Sequence, residues 1–255
     1  MAGSIEVSEE NGVRYLHFGS RWIQGAMRTG RPFALELEYT RELMFPLLLR
    51  PAGSGGKHWP RTALLIGLGA ASIPRFLYRF RPRTAQTIVE IDAAVIAVAQ
   101  QYFKLPPEGA RMRIEIGDGS DYVLASDRQF DLIIVDGFDA KGRAGALDQL
   151  PFYCNCQARL SERGLLAVNL LTHPFGVRGS LDRLRAGFGG RTLALPKCPS
   201  GNVIAVGASG APVDVGFAEI VTAAKALRRE TGLNLSPTVA RVKAREAAGD
   251  GRVRV

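Results

Sequence analysis

The chain has 255 residues, 46% hydrophobic and 22% charged, with a formal charge of +9, enough for one well-buried core and a small appendage. No apolar run approaches the roughly 18 residues that a membrane span needs; the best, Leu43–Leu49, is short and contains Pro46. The arginines are scattered apart from Arg75–Arg83 and Arg241–Arg254, so neither a membrane nor a nucleic-acid partner is expected.

Residues 1–10 carry Glu6, Glu9 and Glu10 and lack the basic and then apolar blocks of a secretory signal. Cys154, Cys156 and Cys198 form neither a disulfide framework nor a zinc pattern, and His17, His58 and His173 form no metal pattern. The expected location is therefore the cytoplasm, without a metal.

Short alternating stretches come first, at Ile5–Val7, Arg14–Phe18 after the turn signal Asn11-Gly12, and Trp22–Met27, predicting a small antiparallel unit. From Leu35 to Leu48 the spacing predicts a helix bent by Pro46. This β-rich segment and helix occupy 1–50, and Pro51–Pro60 reads as a glycine-rich linker.

Strands and helices then alternate: strand Ala63–Ile66, helix Ile73–Phe80, strand Thr87–Ile91, helix Ala93–Phe103, strand Met112–Ile116 and a short helix after Gly119. Strand Leu132–Val135, a helix around Phe152–Leu160 and strand Leu165–Leu171 follow, which accounts for a parallel sheet. After a helix near Leu181–Gly187, the short link Pro196–Gly201 between Thr192–Leu195 and Val203–Val206 implies an antiparallel pair. An α/β, Rossmann-like sheet whose last strand is antiparallel resembles the adenosylmethionine-dependent transferases. This domain is expected over 60–232, with a final helix Phe217–Arg229 and a flexible tail over 233–255.

The chemistry-bearing residues cluster at predicted strand ends. Gly67, Gly69 and Ser72 follow the first strand of the alternation and open a helix, which lets a ligand approach the backbone. Glu90, 23 residues beyond Gly67, ends the next strand, where an acid can accept both ribose hydroxyls; Asp92 suits a helix cap. Asp118, in Gly117-Asp118-Gly119, is either an adenine contact or a turn residue. Asp136 and Asp139 end the fourth strand, where two carboxylates suit a cationic substrate and one can take its proton. His173 is read as a loop residue that could border the crevice.

Together these motifs resemble the spermidine and spermine synthase family over roughly residues 20–207. Gln24 and Tyr39 match its substrate-gripping pair, Gly67-Leu68-Gly69 its glycine loop, and Glu90-Ile91-Asp92 its ribose motif. Gly117-Asp118-Gly119 matches its adenine motif, Asp136 and Asp139 its catalytic segment, and Phe152-Tyr153 its downstream aromatic pair. The resemblance implies an aminopropyltransferase with no tightly bound cofactor, using decarboxylated S-adenosylmethionine as co-substrate and a polyamine as acceptor. Asp136 would be the base, with Asp139 and Tyr39 positioning the amine; Gln24, Gly67, Gly69, Glu90, Asp118 and Gly119 would hold the donor. The family often forms homodimers.

Two departures stand out. Ala70 replaces an aspartate of the glycine loop, and Thr40-Arg41 replaces His-Glu after Tyr39, where Arg41 would repel a polyamine. A methyltransferase using intact S-adenosylmethionine and a non-catalytic nucleoside-binding protein are the alternatives. A nicotinamide-dependent dehydrogenase would need a glycine where Ser72 stands.

Overall fold

The computed structural model describes residues 4–19, 22–50, 59–139, 142–172, 176–246 and 250–255. Residues 51–58 of the expected linker, together with His58 and His173, lie outside them. Strands β1 (Ile5–Glu10) and β2 (Val13–Phe18) form a hairpin across Asn11 and Gly12, whose φ angles of 51° and 71° are those an Asn-Gly turn adopts at least cost. Strand β3 (Gly25–Arg28) completes a three-stranded antiparallel sheet. Leu16 and Met27 of this sheet close on Ala70 and Phe103 in a small apolar cluster. A β-carbon on Gly25 would stand 2.4 Å from that of Ala70, so the sheet rests on the glycine loop with no side chain between them.

Two short helices follow, α1 (Glu38–Glu42) and α2 (Pro46–Leu49), in place of the single bent helix expected from Leu35. Leu35 and Leu37 precede α1, and Pro46 occupies the first turn of α2, where its missing amide proton costs nothing.

The alternation then runs β4 (Thr62–Ile66), α3 (Ser72–Phe80), β5 (Ala85–Glu90), α4 (Ala93–Tyr102), β6 (Met112–Ile116), α5 (Gly119–Ala125) and β7 (Phe130–Val135). It continues through α6 (Leu150–Ala158), β8 (Leu160–Leu171), α7 (Arg178–Gly187), β9 (Thr192–Ala194) and β10 (Asn202–Ala208). These strands form one sheet in the order β6-β5-β4-β7-β8-β10-β9. The five strands β4 to β8 run parallel, and β10 is antiparallel to both its neighbours. Both faces are covered, as a parallel sheet requires. Ala63 and Leu65 of β4 belong to one buried cluster, and Leu64 and Ile66 to another on the opposite face.

Beyond the sheet lie β11 (Asp214–Gly216), α8 (Phe217–Thr231), α9 (Ser236–Arg245) and β12 (Arg252–Arg254), with β12 paired antiparallel to β11. Within the span 233–255 expected as a flexible tail, residues 236–245 form α9: Val239 and Val242 are buried, and Thr238 and Arg241 both donate to the carboxylate of Glu42 on α1. Glu42 is fully buried, and a carboxylate in that position is costly unless it is paired. That need holds the C-terminal helix in place, and it arises 196 residues away from Thr238, where local composition carries no trace of it.

Candidate active site

Strands β5 and β6 lie on one side of β4, while β7 and the rest lie on the other. The connections leaving the carboxyl ends of β4 and β7 therefore diverge and open a crevice, the place where ligands bind in open α/β sheets. Gly67, which follows β4, has φ of 91°, and a β-carbon there would stand 2.2 Å from the carbonyl oxygen of Asp136. The two strand ends are pressed together in a way only glycine permits. A cleft of about 860 Å³ opens above them, ordinary for a small-molecule site.

Every residue expected on sequence grounds to bind or react lines this cleft: Gln24, Tyr39, Gly67, Gly69, Glu90, Asp118, Gly119, Asp136 and Asp139. On one side Glu90, 7% exposed, accepts main-chain N–H groups from Leu68 at 2.9 Å and Asp92 at 3.0 Å. It ties the glycine loop to the end of β5. Burial raises its pKa, while these main-chain donors oppose the rise. Asp92 caps α4 by accepting from the Ala94 N–H at 2.8 Å. Asp118 caps α5 in the same manner, accepting from Ser120 at 2.7 Å and Asp121 at 3.3 Å through Oδ1. Gly119 is buried against Ile66, whose Cγ2 would lie 2.3 Å from any β-carbon there.

On the other side stand Asp136 and Tyr39. Burial pushes the Asp136 carboxyl up to about 6, against hydrogen bonds from Asn169 and the Tyr39 hydroxyl. Tyr39 is itself pushed well above its ordinary range, first by burial and then by the Asp136 charge. Its hydroxyl also lies 3.5 Å from the main-chain oxygen of Gln24. The second carboxylate has different surroundings: Asp139 accepts from Arg143 Nε at 2.8 Å and pairs with Nη2 at 2.7 Å, in an exposed loop. Among the described residues the partners of Asp136 are uncharged, whereas Asp139 shares its charge with a guanidinium.

Three features add to the sequence reading or depart from it. Arg41 does not line the cleft: its guanidinium donates to the main-chain oxygens of Leu35, at 2.8 Å, and Glu36, so the expected repulsion of a polyamine loses its basis. Phe152 and Tyr153 are buried in the core, with the Tyr153 hydroxyl donating to Asp148 at 2.8 Å, and neither lines the cleft. Asn169, which sequence reasoning missed, donates to Asp136 Oδ1 at 2.8 Å. The signal was present, since Asn169 is the sole polar residue in Leu165–Leu171, and a polar side chain in a doubly covered strand needs a partner.

A family model described as the spermine/spermidine synthase domain matches residues 46–174. The polyamine aminopropyltransferase of Neisseria meningitidis serogroup A is 33% identical over 240 residues, 94% of this chain and 89% of the relative. That of Chromobacterium violaceum is 34% identical over 239 residues, with the same shares of each chain. Among solved structures, a spermidine synthase in complex with the transition-state analogue AdoDATO has a TM-score of 0.63 at 22% identity, covering 96% of this chain and 89% of that one, a likeness of fold. Matched across its cleft-forming strands by the family model and along nearly its whole length by these relatives, the chain belongs to the spermine/spermidine synthase family of aminopropyltransferases.

Proposed function

We propose that the cleft transfers the aminopropyl group of decarboxylated S-adenosylmethionine to a polyamine nitrogen and releases methylthioadenosine. The observation that carries this reading is the placement of Asp136 at the switch point of the sheet, hydrogen-bonded by Tyr39 and Asn169 and, among the described residues, with no cation paired to it. An amine acceptor enters as an ammonium, because free alkylamines titrate near ~10, and it must lose a proton before its nitrogen can attack. Asp136 takes that proton. The nitrogen lone pair then forms the new N–C bond while the C–S bond breaks, and its electron pair returns the sulfonium to a neutral thioether. Positive charge passes from sulfur to the new secondary ammonium, so the step balances without a redox partner. Tyr39 and Asp139 orient the acceptor, and Gln24, the loop from Gly67 to Gly69, Glu90, Asp118 and Gly119 hold the nucleoside.

Calorimetric titration with decarboxylated S-adenosylmethionine, S-adenosylmethionine and methylthioadenosine tests the reading. Preference for the decarboxylated donor, with turnover of a diamine, supports it. Preference for the intact donor, or no binding of any of the three, overturns it.

Two results follow for this side of the site. Glu90→Ala should weaken methylthioadenosine binding by about 1–3 kcal/mol, because a charge-assisted acceptor is lost; unaltered affinity would remove Glu90 from the ribose site. The pH profile should report Asp136. The base works as a carboxylate, so kcat/KM should fall about tenfold per pH unit below pH 6, the value to which burial raises this group. A limb near 4, where an unperturbed aspartate titrates, would argue that another group governs the rate.

A further inference from the structure

A file of hydrogen bonds leads away from Asp136 across the floor of the cleft. Asn169 Nδ2 donates to Asp136 Oδ1 at 2.8 Å, Asn202 Nδ2 donates to Asn169 Oδ1 at 2.8 Å, and the Ser200 hydroxyl donates to Asn202 Oδ1 at 2.8 Å. Cys198 Sγ lies 2.9 Å from the Ser200 oxygen. Since the one proton of Ser200 is committed to Asn202, the thiol is the donor in that last contact. Asn169 and Asn202 are 4% and 5% exposed and sit on the paired strands β8 and β10.

The direction of the file matters more than its length. Each amide can serve Asp136 in one orientation only, so all the donors point toward the carboxylate. A proton on Oδ1 would face the Asn169 NH₂ group. Turning Asn169 to accept that proton would set its NH₂ against that of Asn202, and relief there would require Asn202 to turn as well. Buried amides left mismatched in this way are costly. The file therefore keeps Oδ1 an acceptor and confines a transferred proton to Oδ2.

We propose that Asn202 and Ser200 are positioning residues for aminopropyl transfer, locking the Asn169 amide so that Asp136 presents one fixed oxygen to the incoming amine. The inference rests on Asp136 being the base. Among the described residues, the groups facing Asp136 are Tyr39 from α1 and Asn169 from β8, with the main chain of Gly67 behind it; Asp139, on the same loop, is paired with Arg143.

The test measures pH profiles of kcat and kcat/KM with decarboxylated S-adenosylmethionine and 1,4-diaminobutane. Asn202→Ala should lower kcat about tenfold, the equivalent of one buried hydrogen bond, with donor KM unchanged and the acid limb displaced to higher pH as Asp136 loses a fixed donor. Ser200→Ala, at the exposed end of the file, should lower kcat less and move the limb the same way, and Ser200→Thr, which keeps the hydroxyl, should restore both. A lower kcat in Ser200→Ala with an unmoved acid limb, or wild-type behaviour in both alanine variants, overturns the proposal, and the Ser200 pair keeps the test decisive where Asn202→Ala fails to fold. Activity retained in Asp136→Asn would instead overturn the base assignment itself, a separate outcome.

Discussion

Asp136→Asn is expected to lower kcat by about 10²–10⁴-fold, the range that loss of a general base produces, while methylthioadenosine binds as before. Asparagine has nearly the same shape and can still accept from Asn169, so the packing around β7 and β8 survives the exchange. What disappears is the capacity to take a proton from an ammonium. Only the fraction of acceptor that is already neutral could react, and at neutral pH that fraction is small. Raising the pH should therefore recover part of the lost rate in the variant, whereas an enzyme whose Asp136 only binds substrate would show a raised KM at every pH. Single-turnover rates between pH 6 and 10, with calorimetry of the product nucleoside, separate the two. A variant with parental kcat would refute the role.

Gly67→Ala should cost about 2–4 kcal/mol of stability and lower the melting temperature by about 5–15 °C. Two penalties combine. A φ of 91° is strained for any residue with a β-carbon, and that carbon would lie 2.2 Å from the Asp136 carbonyl oxygen and 2.9 Å from its carbon. Neither obstacle is a flexible side chain, so the strand ends must separate. The move pulls Leu68 from Glu90, which accepts its N–H at 2.9 Å, and methylthioadenosine affinity should fall with it. Gly30→Ala is the control, since nothing lies within 4 Å of a β-carbon there and its backbone needs no glycine; its melting temperature should match the parent. Equal stability of the two variants would show that the close approach of the strand ends carries no strain.

The sheet was legible because parallel strands covered on both faces must be almost wholly apolar, and runs such as Ala63–Ile66 and Leu132–Val135 can hardly be read otherwise. The acids at their ends were legible for the same reason: once strands and helices alternate, the carboxyl edge is known. The partners of those acids were not. That Arg143 pairs with Asp139, or that Arg41 turns to the main chain of Leu35 and Glu36, depends on loop conformations that spacing does not encode. Helix α9 escaped notice because its apolar face is short, with Val239 and Val242 at its centre, and its strongest tie is polar and distant. Asn202 was hidden among turn residues, where an asparagine attracts no attention until the neighbouring strand brings Asn169 beside it.

The clamp of α9 on Glu42 bears on how the protein is made. Glu42 and Tyr39 share one short helix, and the groups that neutralise the buried Glu42 belong to residues 238 and 241. At about 5–20 residues per second, a ribosome reaches Thr238 about 10–40 s after it has passed Glu42, 196 residues earlier. Through that interval the nascent chain can complete the strands whose ends line the cleft, while the helix bearing Tyr39 still lacks its tie to α9. The sheet side of the cleft can thus be in place before α9 reaches the helix that carries Tyr39.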